Sequence, residues 1–304
     1  MPGLCVRLLA LTVVTMLTTH ARAVDIDALW EYDDPALSEA RFRAALDSTS
    51  GDERLAVLTQ IARTYSLRGR FGEAHRLLDQ VEGALGEAGA QPRVRYLLER
   101  GRTLNSSGER NKARALFMDA WAKAGAAHLD SLAVDAAHMV AISYSGTEDA
   151  IEWNRKGLVL ARASQDAKAQ ALIPAMLNNS AWDLHDMGRY ADALPLFDEA
   201  LGEWAKRSRP AQVHFARWSV ARCLRSLRRL DQALALQLAL AREDAARGTV
   251  DGYVMEEIAE LYEALGRTTE ARPYFARAAT LLSDDADLVK NDPARIERLR
   301  AKGR

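Results

Sequence analysis

Side chains with catalytic chemistry are scattered along the sequence without the spacing that a reaction centre needs. Ser180, His185 and Asp186 lie close together, but a step of five residues places Ser180 and His185 on different sides of a helix. A trio of aspartates near residue 285 lacks the further oxygen ligands and the glycine of a calcium loop. The chain has no phosphate-binding glycine loop, no G-x-S-x-G, no H-E-x-x-H and no paired cysteines. The sequence therefore predicts no catalytic residues, no metal site and no cofactor.

Residues 177–201, LNNSAWDLHDMGRYADALPLFDEAL, are typical of two amphipathic helices joined by a short turn. Ala181 and Leu184 follow the spacing of three to four residues that marks one helical face. Gly188 is expected to end the first helix, because glycine adopts the left-handed backbone at little cost. Ala193 is small at the point where the second helix should cross the first. Such a hairpin cannot bury its apolar face alone, so it needs a neighbour on each side.

The same pattern recurs along the chain. Each copy has a small residue and then an apolar one on the first helix and an alanine on the second, and in four copies Phe or Leu follows that alanine by four residues. The alanines of the second helices are Ala74, Ala113, Ala150, Ala193, Ala233 and Ala271, spaced 37 to 43 residues apart. This arrangement resembles the tetratricopeptide-repeat (TPR) family, whose minimal repeat is about 34 residues. The resemblance implies an all-α, right-handed superhelical solenoid of about six antiparallel helix hairpins.

Two of the copies depart from the pattern. In the third copy, Gly146 precedes Ala150 by four residues instead of five, and Asn154 replaces the usual apolar residue. In the fifth copy, Arg228 stands where a turn glycine is expected. We expect altered turns at these two places within an otherwise regular solenoid.

Residues 1–23 have the layout of a bacterial secretory signal peptide. One arginine precedes an apolar run of 12 residues, 8–19, and Ala21-Arg22-Ala23 follows as a cleavage sequence. The run is shorter than the ~20 residues that span a bilayer. The sequence predicts cleavage after Ala23, a periplasmic or secreted location and no stable membrane insertion afterwards. An uncleaved anchor, or a true start at Met16 in an intracellular regulatory protein, remains as an alternative.

The remaining chain divides into a cap (24–52), a repeat array (53–285) and a polar C-terminal capping helix (286–304). In the first cap, Ala40, Ala44 and Leu46 are expected to lie against the first repeat. Trp30 and Tyr32 are expected to cover the open end of the solenoid, with a ligand contact as the alternative.

Charge gives little indication of a partner. Lys and Arg number 41 against 42 Asp and Glu, a net charge of −1; loss of the two arginines in residues 1–23 changes it to −3 (39 minus 42). Neither value favours nucleic acid or an anionic membrane. A basic tail at 295–304 is the alternative, although Glu297 dilutes its charge. Cys223 is the only cysteine after cleavage, so no intrachain disulfide is expected.

In TPR proteins the first helices of successive hairpins line a concave groove, and this resemblance implies a peptide- or protein-binding site here. Arginines and tryptophans dominate it, and glutamates occupy its C-terminal end. The implied residues are Arg63, Ser66, Arg95, Arg102, Asn105, Asn178, Trp182, His185, Trp218, Arg222, Arg225, Glu256, Glu260 and Glu263. Arginine pairs with carboxylates and stacks on aromatic rings. We therefore expect a peptide with acidic and apolar groups, whose basic end lies at the glutamates; a solvated face of interhelical salt bridges is the alternative.

The function that these features predict is a non-catalytic protein- or peptide-binding scaffold, exported from the cell. The partner itself is not identified by the sequence, because helical repeats serve many processes. An enzyme built on helical hairpins remains as a less favoured alternative.

Overall fold

The computed structural model describes residues 24–304, and every regular element in this range is helical. The predicted signal peptide lies outside the described residues. Two short 3-10 turns, Asp27–Leu29 and Leu46–Ser48, flank the first helix. The α-helices are α1 (Pro35–Ala45), α2 (Gly51–Leu67), α3 (Phe71–Gly83), α4 (Ala90–Ser106), α5 (Arg110–Ala126), α6 (Asp130–Ser143), α7 (Glu148–Ala163), α8 (Ala167–Gln170), α9 (Ile173–Asp186), α10 (Tyr190–Lys206), α11 (Pro210–Ser226), α12 (Leu230–Ala246), α13 (Gly252–Ala264), α14 (Thr268–Leu282), α15 (Ala286–Asn291) and α16 (Pro293–Lys302).

Twelve of these helices form six hairpins that stack in chain order. The hairpins are α2/α3, α4/α5, α6/α7, α9/α10, α11/α12 and α13/α14, and the second helix of each packs against the first helix of the next. All six motif alanines are buried, with at most 2% of their surface exposed. Small residues at these crossings let the helix backbones approach, and stacking buries the apolar face that one hairpin would leave in water. The predicted all-α solenoid of six hairpins is confirmed.

The turns within the hairpins share one backbone conformation. Gly69, Gly108, Gly188 and Gly266 have φ between 70° and 93°, the left-handed region in which glycine avoids the steric clash of a side chain. Arg228, at the equivalent place in the fifth hairpin, has a φ of 61°. The solenoid therefore keeps the same turn there and accepts backbone strain at a residue with a Cβ atom.

The shortened third turn is held by the neighbouring hairpin. Gly146 is left-handed like the other turn glycines, with φ 81°, but the following Thr147 is extended. The Oδ1 atom of Asp183 on α9 accepts hydrogen bonds from the Gly146 amide at 2.7 Å and the Ser145 hydroxyl at 3.1 Å. This side chain replaces contacts that the regular turn makes within its own hairpin.

The N-terminal cap packs through different residues from those expected. Ala40 and Ala44 of α1 are exposed, whereas Phe42 is fully buried. The expectation for the two alanines was wrong, because the face of α1 that meets α2 is centred on Phe42. Trp30 is 8% exposed, packs edge-on against Phe42 and donates a hydrogen bond to Gln60 at 3.2 Å. Trp30 thus covers the end of the first hairpin as predicted.

The C-terminal helix α16 closes the opposite end. Asp292 caps α16 by accepting a hydrogen bond from the Arg295 amide at 3.1 Å, and Ile296 and Leu299 are buried against the last hairpin. Of the helices between residues 24 and 304, none is both long and apolar enough to cross a membrane.

Candidate functional site

The first helices of the six hairpins (α2, α4, α6, α9, α11 and α13) form one face of the solenoid, which we call the inner face. Two cavities lie on it. The N-terminal chamber, about 310 Å³, is lined by α2, α4 and α6 together with the N-terminal cap and α8. The C-terminal chamber, about 440 Å³, is lined by α9, α11, α13 and α16. The structure therefore divides the predicted groove residues between two separate places.

In the N-terminal chamber, Arg102 is held by acidic side chains of two helices. Its guanidinium donates to Asp135 on α6 at 2.5 and 2.6 Å and to Glu99 on α4 at 2.7 Å. Burial acts to raise the pKa of Asp135, but the attraction of Arg102 prevails and holds that pKa below its usual value. Arg102 is consequently a structural cation whose charge is already balanced.

Arg63 lies beside this group and contacts aromatic rings. Its guanidinium carbon lies 5.2 Å from the ring centre of Trp30 and 5.6 Å from that of Tyr32, and its nearest carboxylate oxygen, on Glu99, is 3.7 Å away. A cation over an aromatic face is attracted by the ring quadrupole. Trp30 and Tyr32 therefore both close the solenoid and line the chamber.

Arg95 differs from the other cations of the N-terminal chamber. No carboxylate between residues 24 and 304 forms an ion pair with it, and its Nε, like that of Arg63, is buried without a hydrogen-bond partner. Lys168, by contrast, pairs with Asp27 at 2.5 Å. Burial lowers the pKa of Arg95, because desolvation disfavours the charged form, while Glu99 opposes the change. Four cationic and three acidic side chains line the chamber. Lys168 also pairs with Asp25, outside the lining, at 3.6 Å, so Arg95 is the lining cation that has no ion pair within residues 24–304.

In the C-terminal chamber the charges are balanced within the protein. Glu257 accepts hydrogen bonds from Arg222 at 2.7 Å and from Arg225 at 2.8 and 3.0 Å. Glu256 accepts from Arg295 at 2.6 Å, and Glu260 accepts from Arg298 at 2.5 Å. The predicted arginines and glutamates are therefore present on one face, but they form interhelical ion pairs instead of standing free.

Two results follow for the predicted use of the glutamates. Glu256 and Glu260 were expected to receive the basic end of a ligand, yet α16 already supplies Arg295 and Arg298 to them. Those two arginines belong to the same chamber as Arg222 and are not a separate basic tail. Glu263 on α13 likewise pairs with Lys302 on α16.

The two predicted tryptophans lie together in the middle of the inner face. Their ring centres are 5.9 Å apart, and Trp182 also packs edge-on against Phe197. The Trp218 indole donates to the carbonyl of Tyr253 at 3.3 Å, whereas the buried Trp182 Nε1 has no protein acceptor.

The remaining predicted residues lie beside the chambers. His185 is 8% exposed behind Trp182, with its Nε2 2.9 Å from the Ser226 hydroxyl, and burial lowers its pKa. Asn105 and Asn178 are half-buried and line neither chamber, and Ser66 is buried. The sequence prediction omitted the acidic partners of the arginines, Glu99, Asp135 and Glu257. A signal existed for them, since each carboxylate lies on the first helix of a hairpin.

Comparison with known proteins supports this description of the fold. Tetratricopeptide-repeat models match residues 54–81, 175–204 and 254–289. The apo form of RapI superposes with a TM-score of 0.71 at 12% identity, covering 90% of this chain and 76% of that one. A Rap protein complexed with Competence and Sporulation Factor gives a TM-score of 0.58 at 14% identity, covering 90% and 82%.

A third similar structure is a multidomain signal-transduction ATPase from Pyrococcus horikoshii with a TPR sensor. Its TM-score is 0.68 at 12% identity, over 89% of this chain and 42% of that one. No curated protein matches the sequence. At these identities the solved structures show the fold alone: the protein is a TPR-like helical solenoid.

Proposed function

We propose that this protein is a non-catalytic scaffold that binds a peptide segment of a partner protein along its inner face. The observation that carries the proposal is Arg95, a half-buried arginine with a buried Nε, which is the cation lining the N-terminal chamber that has no ion pair in the described part of the chain. An uncompensated buried charge is costly. A carboxylate from a ligand would offset that cost by pairing with Arg95.

An acidic peptide side chain, or the carboxylate at a peptide end, suits the N-terminal chamber. Arginine presents a planar fork that pairs with both oxygens of a carboxylate. Arg63, stacked near Trp30 and Tyr32, would add a second cation and an aromatic surface. The acidic group is therefore expected at Arg95 and Arg63, because Arg102 is already neutralised by Asp135 and Glu99.

The apolar part of the peptide would contact the tryptophans of the C-terminal chamber. Trp218 stacks on Phe215, which is 47% exposed, so an aromatic surface faces solvent beside the balanced ion pairs. Exposed aromatic groups near arginine are enriched where proteins bind one another. The Rap protein in complex with Competence and Sporulation Factor has the same kind of fold, which adds support by analogy.

Selection of short displayed peptides on immobilised protein tests this proposal. We expect enrichment of peptides with an acidic residue, and Arg95→Gln should weaken their binding by ten-fold or more, about 1.4 kcal/mol. The matched control is Arg76→Gln, which changes an exposed arginine on the outer helix α3 and should leave binding unchanged. Failure to select any peptide, or an equal effect of both variants, would refute the proposal.

Charge reversal at Arg222 and Arg225 in the C-terminal chamber is not a suitable test of peptide binding. Reversal of their charges would place carboxylates beside the buried Glu257, and a loss of binding could then reflect loss of folding.

The proposal also includes export of the protein from the cytoplasm. The layout of residues 1–23 supports delivery to the periplasm or beyond, followed by cleavage after Ala23. Intact mass spectrometry of protein from the periplasmic fraction should give a chain that begins at Val24. A full-length chain confined to the cytoplasm would favour the intracellular alternative.

A further inference from the structure

Asn154 occupies a position that an aromatic residue fills in three other hairpins. Phe117, Phe197 and Phe275 follow their motif alanines by four residues and are at most 2% exposed. Asn154 follows Ala150 by the same interval and is 1% exposed. Because its side chain is much smaller, a cavity of about 180 Å³ lies beside it. We call this cavity the Asn154 pocket; Ser145, Asn154, Asn179, Trp182, Asp183 and Asp186 are among its lining residues.

Two residues that line the Asn154 pocket carry three buried polar atoms without a protein partner. These are Oδ1 and Nδ2 of Asn154 and Nε1 of Trp182. Buried polar atoms in native proteins are nearly always paired, so three orphans on two neighbouring residues require an explanation. Trp182 also lines the C-terminal chamber, so the pocket is next to the proposed peptide site.

The other polar side chains around the pocket are already engaged. Asn179 lies 2.9 Å from His138 Nε2 and can donate to it through its amide nitrogen. Asp183 Oδ1 accepts from Gly146 and Ser145. The orphaned groups are therefore specific to Asn154 and Trp182.

A second polar residue at the equivalent position behaves differently. Gln237 follows Ala233 by four residues and is completely buried. Its Nε2 donates to the carbonyl of Trp218 at 3.5 Å, its Oε1 is buried without a partner, and it does not line the Asn154 pocket. A polar residue at this place in the repeat thus does not by itself create the pocket, and Gln237 provides a matched control.

We propose that the Asn154 pocket recognises a primary carboxamide, the side chain of Asn or Gln, on the peptide that the inner face binds. This inference rests on the proposed peptide-binding function. The carboxamide oxygen would accept hydrogen bonds from Asn154 Nδ2 and Trp182 Nε1, and its NH₂ group would donate to Asn154 Oδ1. One ligand group would therefore satisfy all three buried atoms.

Other side chains match the pocket less well. A carboxylate has no proton to donate to Asn154 Oδ1 and would lie near Asp183 and Asp186. An ammonium group would be attracted by Asp183 and Asp186 but would leave the two N–H donors without an acceptor. An apolar side chain would leave all three polar atoms unpaired, and a site built for hydrogen bonds rejects such analogues strongly.

The peptide selection described above gives the first test. Peptides selected on the wild-type protein should be enriched in Asn or Gln at one fixed position. Replacement of that residue by Leu should weaken binding to the wild type by ten-fold or more and should have little effect on binding to Asn154→Leu. The Gln237→Leu variant should retain the preference. Selected peptides without any amide preference would overturn this inference and leave the peptide-binding function standing.

A second test does not depend on peptide binding. The probes are propionamide and its isostere propionate, titrated while the indole N–H signal of Trp182 is followed by NMR. Loss of that signal in Trp182→Phe assigns it. Propionamide should shift the signal in wild type and in Gln237→Leu, but not in Asn154→Leu, and propionate should have no effect. The absence of a propionamide shift in the wild type, or an equal shift in Asn154→Leu, would overturn the proposal.

Discussion

The guanidinium of Arg102 and the carboxylate of Asp135 form two hydrogen bonds of 2.5 and 2.6 Å across 33 residues of sequence. These bonds tie the first helix of the second hairpin to the first helix of the third. Arg222 and Glu257 make the corresponding link between the fifth and sixth hairpins at 2.7 Å. The first helices that form the inner face are therefore joined by ion pairs, and the side chains proposed to bind a ligand are those that the pairs leave free.

Removal of one partner from the Arg102–Asp135 pair should destabilise the protein. Arg102→Met leaves Asp135 without its cation in a largely buried place and leaves Glu99 with Arg63 alone, at 3.7 Å, at a cost of about 3 kcal/mol. The urea midpoint of unfolding, followed by circular dichroism, measures the loss. Arg155→Met removes a solvent-exposed pair with Glu152 and should leave the midpoint unchanged. Equal midpoints for both variants would mean that the buried pair does not stabilise the solenoid.

Enlargement of a motif alanine should overpack a hairpin crossing. Ala193→Leu adds bulk at a site with no exposed surface and should cost about 1–3 kcal/mol. Ala113→Leu and Ala271→Leu should behave alike, because each alanine occupies the same site in its hairpin. The exposed Ala122 on α5 provides the control, and thermal unfolding gives the comparison. Three neutral variants would contradict the packing of the repeats.

Relief of the strained turn in the fifth hairpin should stabilise the protein. Arg228→Gly removes the Cβ atom from a residue at φ 61°, and we expect a gain of about 1 kcal/mol in the free energy of unfolding. Arg228→Ala retains the Cβ atom and should give no comparable gain. If the alanine variant is stabilised as much as the glycine variant, loss of the arginine charge is the cause and not the backbone.

Acidification should weaken the fold through histidines whose pKa the folded state lowers. Burial lowers the pKa of His138, with Arg102 adding to the effect and Asp135 opposing it; burial and then Arg100 lower the pKa of His75. Both rings therefore stay neutral in the folded state at a pH where the unfolded chain takes up protons. Their contribution to stability is present above the ordinary histidine pKa of about 6.5 and is lost as the pH falls below it.

The measurement for this prediction is the urea midpoint between about pH 7.5 and about pH 5.5. His138→Gln should make the decline shallower than in the wild type, because one histidine no longer takes up a proton on unfolding. His128→Gln, in an exposed turn, should retain the full decline. A wild-type midpoint that does not fall over this range would show that the histidines do not resist protonation in the fold.

Local sequence patterns determined the architecture of this protein. The spacing of alanines such as Ala193 and of turn glycines such as Gly188 specifies each hairpin from residues within one repeat, and stacking follows because every hairpin exposes the same apolar face. The helical spacing of residues on the first helices also predicted that one face would contain Arg102, Trp182, Trp218 and Arg222. All four line the chambers of the inner face.

Only the tertiary structure decided which of these side chains are available to a ligand. Arg95 and Arg102 are the same residue type on one helix, yet Arg102 meets Asp135 of the next hairpin and Arg95 meets no carboxylate. Asn154 and Gln237 are both polar replacements at one repeat position, but only Asn154 adjoins a cavity with its amide unpaired. Whether a side chain finds a protein partner depends on the rotation and offset of neighbouring helices and on how far side chains reach across hairpins. Contacts between residues more than 30 positions apart fix these quantities, and the periodicity of a single repeat does not encode them.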